Sequence, residues 1–162
     1  ALHREMQAVL HQRDLGEGFE NGLDAGVCYW AWNQPQLQFA GARIDLCYQD
    51  AATPATVIRG NRVSLGYRHA HPDWTAFRLE TVERNPDRTF YLPTAGLLDQ
   101  SGGPKGYGFG RRQFQEVLQR CNGSSLTEQQ TALEQALADW RNDQPQRDDI
   151  TVIGFRPGAG PQ

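Results

Sequence analysis

Side chains alternate between Val27 and Trp32: Val27, Tyr29 and Ala31 fall on one side, Cys28, Trp30 and Trp32 on the other. That period of two marks a half-buried strand. Asn33-Gln34-Pro35-Gln36 reads as a turn into Leu37-Gln38-Phe39, so the two runs predict a hairpin. Ala40-Gly41-Ala42 interrupts the pattern before Ile44, Leu46 and Tyr48 resume it, and a glycine there predicts a bulge or a close backbone approach. Further strands are expected over Thr56–Arg59, Trp74–Val82, Thr89–Leu92 and Ile150–Phe155.

Between the last two strands the spacing becomes helical. One helix is expected over Arg111–Arg120 and another from Ser125, whose hydroxyl forms a capping box with Glu128. Leu126, Leu133, Leu137 and Trp140 follow one side of the second, so both helices should lie on a sheet face. Leu2, Met6, Val9 and Leu10 place a first helix up to about Arg13, with a loop over Asp14–Gly26. That helical pattern opens without a cap, so a further segment is expected before Ala1. Pro157–Gln162 reads as a disordered tail. Hairpins first and helices second predict one α+β layered domain over residues 1–162, not a parallel βαβ sheet.

Composition narrows the function. The chain has 162 residues, enough to bury a core, with 38% hydrophobic and 22% charged residues, as in soluble globular proteins. A net charge of -3 with scattered arginines predicts no basic patch and gives no case for nucleic acid or an anionic membrane. Cys28, Cys47 and Cys121 are odd in number and lack CxxC spacing, so buried structural thiols in a reducing compartment are expected. No signal peptide or transmembrane stretch is visible, which predicts a cytoplasmic domain.

Four stretches are candidates for chemistry. Asp148-Asp149 stands just before a strand, where carboxylates on a rigid element can ligate hard cations such as Mg²⁺ or Mn²⁺. By spacing alone, an Asx-type turn accounts for the pair better. Thr94-Ala95-Gly96-Leu97-Leu98-Asp99-Gln100 puts a glycine turn and an acid at the end of another strand. Ser101–Gly110 is glycine-dense with one lysine, Lys105, but lacks the Gly-Lys-Ser/Thr of a phosphate-binding loop and reads as a mobile surface loop. His69 and His71 alternate like metal ligands, yet no further histidine or cysteine completes a zinc site. No serine stands in a nucleophile elbow.

Taken in order, these stretches resemble the metal-dependent type 2C serine/threonine phosphatases, and within them the bacterial SpoIIE-like branch. Leu37-Gln38-Phe39-Ala40-Gly41-Ala42-Arg43 resembles the family's "L-x-Y-A-G-A" strand, preceded by Leu23-Asp24-Ala25-Gly26-Val27. Thr94–Gln100 falls where the family has "T/S-D-G-hydrophobic-x-D/E-Q". Gly102–Gly106, Phe109–Phe114, Trp140 and Arg147–Gly154 resemble the glycine-rich stretch, helix start and closing signature that follow.

The resemblance implies a β-sandwich flanked by helices in αββα layers, with the N-terminal part missing from this chain. It implies two Mn²⁺ or Mg²⁺ ions, roughly 3.5–4 Å apart, that activate a bridging water. The implied metal positions are Asp148, Gly96 and position 95, where Ala95 stands in place of the family's ligand aspartate; Asp149 and Asp99 support them, and Lys105 lies on the substrate-side loop. The family's bridging aspartate belongs to a "D-G-x-G" motif that would lie upstream. The implied substrate is phosphoserine or phosphothreonine on a small regulatory protein of the anti-anti-sigma type. An upstream sensor or membrane-linked module is also implied, and a homodimer is allowed. Because alanine offers no side-chain oxygen, the second metal and hydrolysis are expected to be impaired. The alternative is a catalytically dead pseudo-phosphatase that binds a phosphorylated partner; a ligand-sensing domain of the PAS kind is a third and weaker reading.

Overall fold

The computed structural model describes residue 5 and residues 22–51, 53–66 and 77–158. The expected first helix and the His69–Asp73 segment lie outside these residues. Strands β1 (Ala25–Tyr29) and β2 (Gln36–Ala42) form the expected antiparallel hairpin, with Cys28 opposite Phe39 and Tyr29 opposite Gln38. β5 (Glu80–Glu83) pairs with the other edge of β2 and completes a three-stranded sheet. A second, four-stranded sheet runs β4 (Thr56–Ile58), β3 (Leu46–Gln49), β6 (Thr89–Pro93), β9 (Val152–Phe155), all antiparallel.

The alternation decides how the sheets meet. Cys28, Trp30, Leu37, Phe39 and Val82 from the first sheet pack against Leu46, Ile58, Phe90, Leu92 and Phe155 from the second. Trp30, Phe155 and Phe90 stack in series, with ring centroids 5.6 Å apart at each step. The result is a β-sandwich with aligned apolar inner faces. On the opposite face of β1, Val27 and Tyr29 remain exposed. Trp32 departs from the expected alternation: it stands in the β1–β2 turn and is 79% exposed.

Helices cover the outer face of the second sheet. α1 (Ala95–Leu98) is a single turn, where a glycine turn was expected. α2 (Gly110–Arg120) buries Phe114, Val117 and Leu118, the one-face spacing of an amphipathic helix. α3 (Leu126–Arg141) starts at Ser125 with both bonds of the capping box in place, and lays Ala132, Leu133, Ala136, Leu137 and Trp140 on the same core. Among the described residues helices therefore flank one face of the sandwich, giving three of the four expected layers.

Three sequence expectations change. The glycine-dense stretch, expected as a surface loop, carries a hairpin of β7 (Ser101–Gly102) and β8 (Tyr107–Gly108) with an exposed turn. Trp140 anchors it: the indole N–H donates to the carbonyls of Gln100 and Tyr107, and the amide of Gly103 donates to the Trp140 carbonyl at 2.7 Å. The start of the expected tail is also held, because buried Arg84 donates to the carbonyls of Pro157 and Gly158. The strand expected over Trp74–Val82 is limited to Glu80–Glu83 among the described residues.

Candidate functional site

Two of the sequence motifs meet at the end of the second sheet. β6 ends at Pro93, and its extension lies against the residues entering β9: the Thr94 amide donates to the Thr151 carbonyl at 2.9 Å, and the Thr151 amide donates to the Thr94 hydroxyl at 3.0 Å. Gly96 is buried beside the Asp149 main chain, so close that a Cβ there would overlap the carbonyl oxygen. The Thr94–Asp99 turn and the Asp148-Asp149 pair thus share one corner of the sandwich.

Their side chains diverge from that corner. Asp148 accepts a hydrogen bond from the amide of its next neighbour, Asp149, at 2.7 Å, one residue short of the contact that defines the expected Asx-type turn. Both aspartates are exposed. Ala95 and Asp99 instead line a cavity of about 360 Å³ together with Asp24, Asp45 and four arginines, Arg43, Arg59, Arg62 and Arg111. Lys105 stands exposed at the β7–β8 turn and is not among the cavity residues.

These arginines, scattered along the sequence as expected, share one cavity with three aspartates. They come from the end of β2, the end of β4 and the start of α2, positions that only the folded sheets bring together. The wall is built by close backbone approach. Gly41 and Gly60 each leave no room for a Cβ, which would sit 2.2 Å from the Ile44 carbonyl in either case. The Asn61 amide donates to the Gly41 carbonyl and the Arg43 amide to the Asn61 carbonyl, both at 2.8 Å. Arg43 is held at φ 57, a left-handed conformation costly for a side-chain-bearing residue.

Asp45 is the hub beneath this wall. Its buried carboxylate accepts from the Gly60 amide at 3.0 Å and from Arg111 Nε at 2.5 Å. On the rim, Asp24 accepts from the Ser64 hydroxyl and faces Arg43 at 3.7 Å. Asp24, Arg43 and Arg111 stand inside sequence motifs and Arg59 ends the expected Thr56–Arg59 strand, none with an assigned role, while Asp45 and Arg62 lie outside every motif. A signal was present, since polar residues immediately beyond strand ends are where sites on sheet proteins collect.

The donor set does not fit a two-metal centre. Ala95 supplies no oxygen at the cavity, Asp148 and Asp149 do not line it, and no group of three or more acidic, histidine or cysteine side chains among the described residues could hold a metal ion. A larger cavity of about 520 Å³ lies between α3 and β9, lined mainly by apolar residues such as Leu126, Leu133 and Val152. No helix of the described residues is long and apolar enough to cross a membrane.

Comparison with known proteins agrees with the order of these motifs. Residues 24–157 match the family described as Stage II sporulation protein E (SpoIIE). The structure is similar to the SiaA-PP2C domain of Pseudomonas aeruginosa, with a TM-score of 0.78 and 33% identity, covering 95% of this chain and 58% of that one. It also resembles RsbX in complex with magnesium, at TM-score 0.56 and 18% identity, covering 94% of this chain and 61% of that one, a likeness of fold alone. The chain therefore spans about three fifths of the length of the solved structures it matches. No curated protein matches.

Proposed function

Starting from the premise that the chain belongs to the SpoIIE family of PP2C-type phosphatase domains, we propose that it is the C-terminal portion of a protein serine/threonine phosphatase domain. Its substrate is phosphoserine or phosphothreonine on a small regulatory protein of the anti-anti-sigma type. The observation that carries this reading is the hydrogen-bonded meeting of Thr94 with Thr151, which joins the Thr94–Asp99 turn to the Asp148-Asp149 signature. In the complete domain the cofactor is Mn²⁺ or Mg²⁺, and position 95 together with Asp148 and Gly96 marks where it belongs, with Asp149 and Asp99 nearby in the chain.

Ala95 impairs that activity. Ala95 lines the cavity where a carboxylate would be needed, and a side chain without an oxygen cannot ligate a hard cation. The donor set of this chain supports binding and orientation of a phosphorylated partner rather than a hydrolytic step. The second reading, a pseudo-phosphatase that recognises a phosphoprotein without cleaving it, is favoured by the same alanine.

The two separate on one substitution. Ala95→Asp is expected to raise Mn²⁺-dependent phosphate release from a phosphopeptide well above the Ala95 form. Full activity with Ala95 in place would sink the assignment of position 95. No gain on substitution would leave the binding module.

A further inference from the structure

The cavity beside Ala95 is lined by four guanidinium groups and three carboxylates. Arg111 is engaged with Asp45 and Arg43 faces Asp24. Arg59 and Arg62 have no hydrogen-bond or ion-pair partner among the described residues, and both are exposed at the cavity. They flank Gly60 and Asn61 on one turn, and that turn is fixed to the body of the protein by three hydrogen bonds, from Gly60 to Asp45, from Asn61 to Gly41 and from Arg43 to Asn61.

We propose that this cavity binds a phosphomonoester dianion, the phosphorylated side chain of a protein partner, through Arg59 and Arg62 and without a metal ion. The identity of the ligand as a protein phosphate rests on the phosphatase reading above; the anion chemistry rests on the cavity alone.

Guanidinium groups match phosphate because their planar N–H donors pair with its oxygens in two parallel hydrogen bonds. Ordinary surface arginines gain little from such a contact, because a flexible side chain must be ordered to make it. Here the main chain between the two residues is fixed at Gly60 and Asn61, so only the two side chains have to be ordered on binding. Asp45 adds no repulsion at the mouth, since it is buried and occupied by Arg111 and Gly60. Asp99 is the one lining carboxylate without a partner among the described residues, and it leaves the lining with one net positive charge. An excess of guanidinium over carboxylate repels a divalent cation and attracts an anion, so the same lining that fails as a metal site suits a phosphate.

The test uses a fluorescein-labelled phosphoserine pentapeptide, followed by anisotropy in EDTA at low ionic strength, with its unphosphorylated form and inorganic phosphate as the other two arms. Saturable binding of the phosphopeptide, competition by inorganic phosphate and no binding of the unphosphorylated peptide are expected. Arg59→Gln combined with Arg62→Gln should weaken binding at least about tenfold, the loss of one charge-assisted hydrogen bond or more. Arg112→Gln, which removes one guanidinium charge from α2 outside the cavity, should leave it unchanged. The proposal is overturned if neither phosphate probe binds, or if Arg112→Gln weakens binding as much as the paired substitution. Binding of inorganic phosphate with exclusion of the phosphopeptide overturns the assignment to a protein phosphate. Unaltered far-ultraviolet circular dichroism shows that each variant is folded, and Arg59→Lys with Arg62→Lys, which keeps the charge, should recover part of the affinity.

The outcome separates from the phosphatase reading. If Ala95→Asp yields hydrolysis that is indifferent to Arg59 and Arg62, this site falls and the activity stands. If phosphopeptide binding needs both arginines while Ala95→Asp yields nothing, the site stands and the activity falls.

Discussion

A Cβ added to Gly96 would lie 2.1 Å from the main-chain oxygen of Asp149, well inside any contact that real side chains make. This single missing atom lets the Thr94–Asp99 turn close onto the Asp148-Asp149 signature. Gly96→Ala must push the two segments apart, at a cost of about 1–3 kcal/mol for overpacking. Urea unfolding should show the loss. Amide exchange should also quicken at Thr94 and Thr151, the residues whose hydrogen bonds span the contact. An unchanged urea midpoint would mean that the turn is free to yield.

Trp140 holds the glycine-rich hairpin to the helix layer, by two indole hydrogen bonds and by edge contact with Phe109 at 5.9 Å. Gly102 and Gly103 lie flat on it, leaving no room for a Cβ. Trp140→Ala is expected to cost roughly 3 kcal/mol, the lower end for a large aromatic because Trp140 is only partly buried. Limited proteolysis is then expected to cut within Gly103–Gly106 faster than in the parent protein.

Arg88 grips Asp50 with two contacts of 2.6 Å and covers the Tyr48 ring at 4.6 Å. The side-chain hydrogen bonds from Arg88 hold the Asp50 carboxyl below the usual carboxylate range. A depressed value in the folded state gives stability that is present above the unfolded-state pKa and is lost as the pH falls through the folded-state one. Urea midpoints measured from neutral pH down to about pH 3 should therefore decline, and Asp50→Asn should remove part of that decline. If the substituted chain shows the same acid limb as the parent, this pair carries none of it.

Burial keeps the thiols protonated. It pushes Cys47 up to about 12, with the Asp45 charge adding to it, and Cys28 up to about 11; it also raises Cys121. The reactive form is the thiolate, so the folded protein should react negligibly with a disulfide reagent at pH near 8, and all three cysteines should react once urea unfolds it. Fast labelling of one thiol in the folded protein would contradict the burial.

Much of the fold was legible because its signals are local. The Val27–Phe39 alternation produced the β1–β2 hairpin, since a period of two leaves a strand one way to hide Cys28 and Phe39 together. Ser125 and Glu128 marked the start of α3 because both capping bonds join residues three apart. The glycine-rich stretch misled because its order comes from Trp140, a residue far along the chain whose indole supplies what the local sequence lacks.

The sequence by itself determined the order of motifs that places this chain in the SpoIIE family, the alternation that builds the sandwich, and the alanine at position 95. Only the tertiary structure decided that Asp148 turns onto its own neighbour instead of facing Ala95's cavity, and that Arg43, Arg59, Arg62 and Arg111 share one cavity. The physical reason is the range of the interactions. Strand periods and caps are set by residues a few positions apart, whereas the charge around a cavity is the sum of side chains from strand ends and helix starts. Those meet only after Gly41 and Gly60 have packed and the two sheets have closed on Phe39 and Phe90.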